Sequence, residues 1–167
     1  MTINIDTVKL FQNIEHGSWN SAADHASKEI FALSPSFTSS IPQIRDWFDG
    51  MVEEFFNKSG ATATSQWLIL GAKALKWGRL EGWDITQEEL IETLVRKQRD
   101  YGHHNIAMFG RDGLIIRVHD KIARLENLAG RKDEAANEPI RDTVLDIAGY
   151  STIGMMWDRK QFLLELV

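Results

Sequence analysis

A chain of 167 residues is long enough to bury one well-formed core, or a core carrying a helical extension. With 43% hydrophobic and 26% charged residues it has the composition of an ordinary globular protein, and its net charge of −5 argues against a general nucleic-acid-binding surface, which is normally basic. The absence of Cys excludes a disulfide framework and a thiolate metal site.

The N-terminal MTINIDTVKLFQNIEHG has no basic stretch followed by an apolar run, so it does not read as a signal peptide. No apolar stretch approaches the roughly 20 residues that span a bilayer. A soluble, cytoplasmic protein without membrane or nucleic-acid partners is expected.

From Asp6 to Glu15 the spacing of Val8, Leu10, Phe11 and Ile14 predicts a short amphipathic helix, ended by Gly17 and Ser18. A second helix is expected over Ser21 to Leu33, burying Ala22, Ala23, Ala26, Ile30 and Phe31. SPSFTSSIP reads as a loop, with Pro42 placed to be a first helical residue. The next helix carries Ile44, Trp47, Phe48, Met51, Val52, Phe55 and Phe56 and stops at Lys58-Ser59-Gly60. In ATATSQWLILGAKALKWGRLEGW apolar residues lie nearly all round the first half, which predicts central burial or a partner chain. Gly82 closes that helix.

Thr86 and Glu89 have capping-box spacing, opening a helix through Leu90, Ile91, Leu94 and Val95 that ends at Asp100-Tyr101-Gly102. HHNIAMFGRD reads as a loop. A helix follows with Ile115, Val118, Ile122, Leu125 and Ala129 as its buried stripe and Arg117, Asp120, Lys121 and Arg124 on a neighbouring one. After GRKDEAAN, with Asn137 as N-cap and Pro139 near the first turn, the last helix shows Ile140, Val144 and Ile147 on its apolar face. That helix is expected to continue through Trp157 to Leu166. No segment has convincing strand alternation, so the fold class is all-α, a helical bundle.

Glu138, Asp142 and Asp146 step by four along one face of the last helix, and stacked carboxylates repel. A divalent cation is one candidate to neutralise them; the basic stripe of the preceding helix is the other. Hard cations take oxygen ligands, which facing helices supply without disturbing the backbone. Arg117, Lys121 and Arg124 could equally hold phosphates. Asp100 sits at a helix C-terminus, where the dipole disfavours an acid, so a partner such as a cation is expected for it. Trp67, Trp77 and Trp83 are read as core or subunit interface. P-loop, dinucleotide-binding, zinc-protease and nucleophile-elbow motifs are absent.

The succession KQRDYG, GLIIRVHDKIARLENL, NEPIRDTVLDIAGY resembles the phage and bacterial nucleotide-modification-associated branch near the MazG-like all-α nucleoside triphosphate pyrophosphohydrolases. The resemblance covers about half the chain, from Glu88 to Trp157, and leaves residues 1–80 as an N-terminal helical extension beside a MazG-like four-helix core over 86–167. It implies a homodimer or homotetramer in which acids of two helices hold Mg²⁺, with Mn²⁺ as a substitute. It further implies hydrolysis of a (deoxy)nucleoside triphosphate to the monophosphate and pyrophosphate. By position, Asp142 matches the acid closing the second metal motif, with Glu138 and Asp146 beside it. Two departures stand out. The usual first motif, E-x-x-E, is replaced by Arg117 and Asp120, while Glu89 and Glu92 spell it one helix earlier; and Glu138 lies four residues before Asp142 rather than three.

The expectation that follows assigns Asp120, Asp142 and Asp146, with Glu138 or Asp100, to the metal and to catalysis. Lys97, Arg117, Lys121 and Arg124 would hold the triphosphate, and Tyr101 or Tyr150 would touch the sugar or base. The rival expectations are a catalytically silent nucleotide-binding module and an interaction protein using its Trp-rich N-terminal half.

Overall fold

The computed structural model describes residues 16–131 and 137–167, which form seven α-helices and no strand. The helix expected over Asp6 to Glu15 lies outside the described residues. Among the described residues, no helix is long and apolar enough to cross a membrane.

Helix α1 (Trp19–Leu33) starts where Ser18 Oγ accepts the Ser21 N–H at 3.2 Å, satisfying one of the donors a helix start leaves open. Its buried face is narrow-waisted, made of Ala22, Ala23 and Ala26 with Trp19 and Ile30 at the ends. Within the stretch expected as a loop, Ser34–Ser36 makes one 3-10 turn. Helix α2 (Ile41–Glu53) is capped by Ser40, whose Oγ accepts the Gln43 N–H at 3.2 Å; Pro42 is its second residue, where a missing N–H costs nothing. A π-helical turn, Glu54–Ser59, continues it to Gly60.

Helix α3 (Thr64–Leu80) fulfils its all-round apolar pattern: every residue from Trp67 to Ala72 is buried. Helix α4 (Gln87–Tyr101) takes half of the expected capping box. Thr86 Oγ1 accepts the Glu89 N–H at 3.2 Å, but the Glu89 carboxylate is drawn away to Arg141. The expected loop after it contains a single turn, α5 (His104–Ala107), before α6 (Gly110–Ala129). Ile115, Val118, Ile122 and Leu125 are all buried, as their spacing requires.

The last helix, α7 (Asn137–Asp158), ends eight residues earlier than Leu166. The chain leaves through a Schellman turn: Gln161 N–H donates to Met156 O at 2.8 Å and Lys160 N–H to Trp157 O at 3.0 Å, with Lys160 at φ +59°. The stop was hidden because a lysine occupies the left-handed position that usually advertises itself as glycine. Phe162 then folds back into the core, 1% exposed.

Helix α7 is the centre of the molecule, packed most extensively on α3, then on α6 and α1. Two glycines permit that approach. A Cβ on Gly154 would lie 2.3 Å from the Trp67 ring, and one on Gly71 would lie 2.9 Å from Ile30 and 3.0 Å from Ser151. One hydrophobic core runs from Trp19 to Phe162, so it crosses the expected boundary between residues 80 and 86. Helix α4 packs more extensively on α1 than on α7. The space left between α4 and α7 is the site described next.

Candidate functional site

A cleft of about 320 Å³ opens between α4 and α7, floored by α5 and by Arg117 of α6, with Trp19 of α1 at one wall. That volume is at the small end of the range for small-molecule sites. Gly149 keeps the wall of α7 low: a Cβ there would already be 3.3 Å from Leu94 across the gap. Leu90, Leu94, Ile106, Leu145 and Ile153 make the apolar lining, and Thr93, Gln98 and Asn105 interrupt it with polar groups.

Five of the residues singled out from sequence line this one cleft: Lys97 and Tyr101 of α4, Arg117 of α6, and Asp146 and Tyr150 of α7. Lys121 joins them at the edge. Its Nζ lies 2.8 Å from Asp146 Oδ2, while Lys97 Nζ lies 3.3 Å from Asp146 Oδ1. The Asp146 carboxylate, 18% exposed, is therefore already compensated by cations from two helices. Of the two neutralising agents expected for the acidic face, basic residues serve this acid. Three cations against one carboxylate leave the cleft positive, in a protein whose net charge is −5.

Arg117 is half-buried and donates from Nη2 to the backbone carbonyl of Asn105 at 3.3 Å, which fixes the one-turn helix α5 against α6. Gln98 Nε2 and His103 Nδ1 are hydrogen-bonded at 2.7 Å. His104 is exposed and takes no part.

The remaining expected site residues are not gathered here. Asp100, Asp120, Arg124, Glu138 and Asp142 are exposed and do not line the cleft. The E-x-x-E acids are also elsewhere: Glu89 makes a bidentate pair with Arg141, which holds its carboxyl below the usual value, and Glu92 is exposed. Among the described residues no three His, Asp or Glu side chains are grouped so as to hold a metal ion. A Mg²⁺ or Mn²⁺ ion needs several oxygen ligands in near-octahedral array. Among the described residues the acid within the cleft is engaged by two lysines and is not grouped with further carboxylates.

No family model, curated protein or solved structure matches this chain.

Two further polar centres bracket the end of α7. Asp158 accepts from Thr62 Oγ1 at 2.7 Å and from Arg111 Nε at 2.8 Å, and Thr62 in turn accepts from Trp67 Nε1 at 3.1 Å. Burial pushes the Asp158 carboxyl up, and the hydroxyl and guanidinium only partly offset that. Next to it, Arg159 makes a bidentate pair with Glu29 of α1 at 2.6 and 2.8 Å, with the side chains 6% and 1% exposed. Neither centre lines the cleft, and both tie the helix end down.

Sequence reasoning did not single out Trp19, Gln98 or Asn105, all of which line the cleft. Asn105 stands in a stretch with loop composition, and Trp19 lies in the N-terminal half, far along the chain from the other cleft residues. No spacing rule connects them. A polar Gln98 on the otherwise apolar Leu90–Leu94 face was the one readable signal.

Proposed function

We propose that this protein binds a nucleoside triphosphate in the cleft between α4 and α7, on a helical core of the MazG-like kind. The observation that carries the reading is convergence. Lys97 of α4 and Arg117 and Lys121 of α6 meet around one cleft with Tyr101 and Tyr150 beside it. Phosphate oxygens suit such a cluster, because charge-assisted hydrogen bonds to several cations are roughly twice as strong as neutral ones. The apolar lining suits a planar ring. A triphosphate carries more charge than the Asp146 carboxylate and would draw Lys97 and Lys121 away from it.

Calorimetric titration with a panel of canonical and modified dNTPs tests this. At least one should bind, with an affinity that falls as salt rises. Lys97→Ala and Arg117→Ala should each weaken binding by about tenfold or more, the scale of one hydrogen bond to a charged group. Asp146→Asn should strengthen it, because it releases both lysines. Absence of binding by the whole panel would end the nucleotide reading.

A second reading is hydrolysis of the bound triphosphate to the monophosphate and pyrophosphate. It is favoured by Asp146 itself, a carboxylate lying in the same cleft as the phosphate-binding cations. Pyrophosphate release with and without Mg²⁺ or Mn²⁺ measures it. Release that is abolished in Asp146→Asn would support the enzyme; binding without release would support the silent binder.

A further inference from the structure

Helix α6 has one face that no described residue covers. Phe109, its N-cap, and Ile116 are 67% and 60% exposed, and Ala123 is exposed farther along the same helix. The three stand seven residues apart, two turns of helix, so they form one straight row along it. Gly113 lets Phe109 lie in that row: a Cβ on Gly113 would be 2.9 Å from the Phe109 Cβ. Exposed apolar side chains scattered singly are normal on a monomer. A row at this spacing is the seam along which one helix packs on another. The cleft does not account for it, because Arg117 and Lys121 leave α6 about 100° and 140° round from Ile116.

The pattern along the row is self-complementary about Ile116. A two-fold axis there, with two copies of α6 antiparallel, sets each residue before Ile116 opposite the residue equally far after it on the partner. Ile116 then meets the partner's Ile116, and Phe109 meets the partner's Ala123, bulky against small, at both ends of the contact. The flanking charges follow the same centre. Asp112 and His119 are both exposed and leave α6 within about 20° of each other, on one flank of the row. Antiparallel pairing sets Asp112 of each copy level with His119 of the other, to within one residue. Asp120 leaves on the opposite flank, about 80° from Asp112, so the two acids are kept apart. Parallel pairing would instead set ring against ring and Asp112 against its own copy.

We infer that this face of α6 is an isologous interface, on which a second copy of the chain packs antiparallel across a two-fold axis at Ile116. Three layers of side chains make a small contact, so the dimer is weak, with a dissociation constant on the order of micromolar. It holds whether or not the cleft binds a nucleotide, and none of its tests uses one.

Sedimentation equilibrium of the full chain should show a mass that rises with concentration from 19.0 kDa toward twice that value. Ile116→Lys sets two like charges against each other on the axis and should weaken association at least tenfold. Its melting temperature in dilute solution should match that of wild type, because the side chain it replaces is largely exposed. Asp112→His should weaken the dimer, and adding His119→Asp to it should recover the loss by exchanging the two partners. The chain has no Cys, so introduced cysteines report proximity without background. Under oxidation by glutathione disulfide, the Ile116→Cys protein should crosslink to itself. The Phe109→Cys and Ala123→Cys proteins should crosslink to each other and not to themselves, since like positions would lie about 20 Å apart.

A wild-type chain that stays monomeric up to about 1 mM, the weak end of specific association, overturns the interface and leaves the row to a different partner. A dimer that Ile116→Lys does not weaken overturns this face. Self-crosslinking of the Phe109→Cys or Ala123→Cys protein in preference to the mixture overturns the antiparallel arrangement.

Discussion

Arg159 and Glu29 form the driest ion pair in the described structure, joining the exit of α7 to the middle of α1 across 130 residues of chain. A buried pair of this kind contributes little by existing, but breaking it strands a charge in a medium that cannot solvate it. Glu29→Ala should therefore cost about 3–5 kcal/mol, which for a chain of this size is a fall of roughly 10 °C in melting temperature. Differential scanning calorimetry measures it. One residue on, Lys160 holds a left-handed conformation at φ +59°, where a Cβ crowds the neighbouring carbonyl. Lys160→Gly should raise stability by about 0.5–1 kcal/mol, read as a higher denaturation midpoint. Nothing in local sequence announces either feature. Glu29 looks like any helical surface acid, and a lysine is the last residue one expects at a left-handed helix end.

The elements themselves were largely legible. Their stripes of three-and-four spacing carry most of the information, and α3, α4, α6 and the start of α7 lie where those stripes put them. Ends were readable where chemistry is local, as at Thr86 and Gly82, and unreadable where it is not. How closely two helices approach is a different matter. Gly154 looks like a weak point in a helix, yet it is the place where the Trp67 ring lies against α7 with no room for a methyl group. Gly154→Ala should force the central α3–α7 contact apart and cost about 1–3 kcal/mol, as overpacking does, despite the better helix propensity of Ala. A substitution that instead stabilised the protein in urea titration would show that the ring moves aside freely. The same pair of helices shows why the cleft exists: α4 is held by α1, so it does not close onto α7.

At the scale of the whole molecule, charge couples folding to pH in two opposite senses. Arg141 of α7 holds the Glu89 carboxyl of α4 below its ordinary 4.5, with desolvation only partly opposing. That contribution is complete above the ordinary value and is lost as pH falls through the lowered folded value. Glu89→Gln should thus melt lower than wild type at neutral pH, and the gap should close on acidification below about 4.5, followed as melting temperature against pH. Asp158 acts the other way. Burial raises its carboxyl, so it favours the folded chain most when protonated, and its contribution declines as pH rises from 3.8 through the raised folded value. Sequence by itself determined the helical class, the main buried stripes and the residue types suited to phosphate, because periodicity and side-chain chemistry are local properties of a chain. Only the tertiary structure decided which of those residues meet. It sent Lys97, Arg117, Lys121, Asp146 and Tyr150 to one cleft and left Asp120, Asp142 and Glu138 exposed. It also brought Trp19 from the far end of the chain to one wall of that cleft. Such meetings depend on how helices cross, and crossing is set by the glycines, alanines and ring faces that one helix offers another.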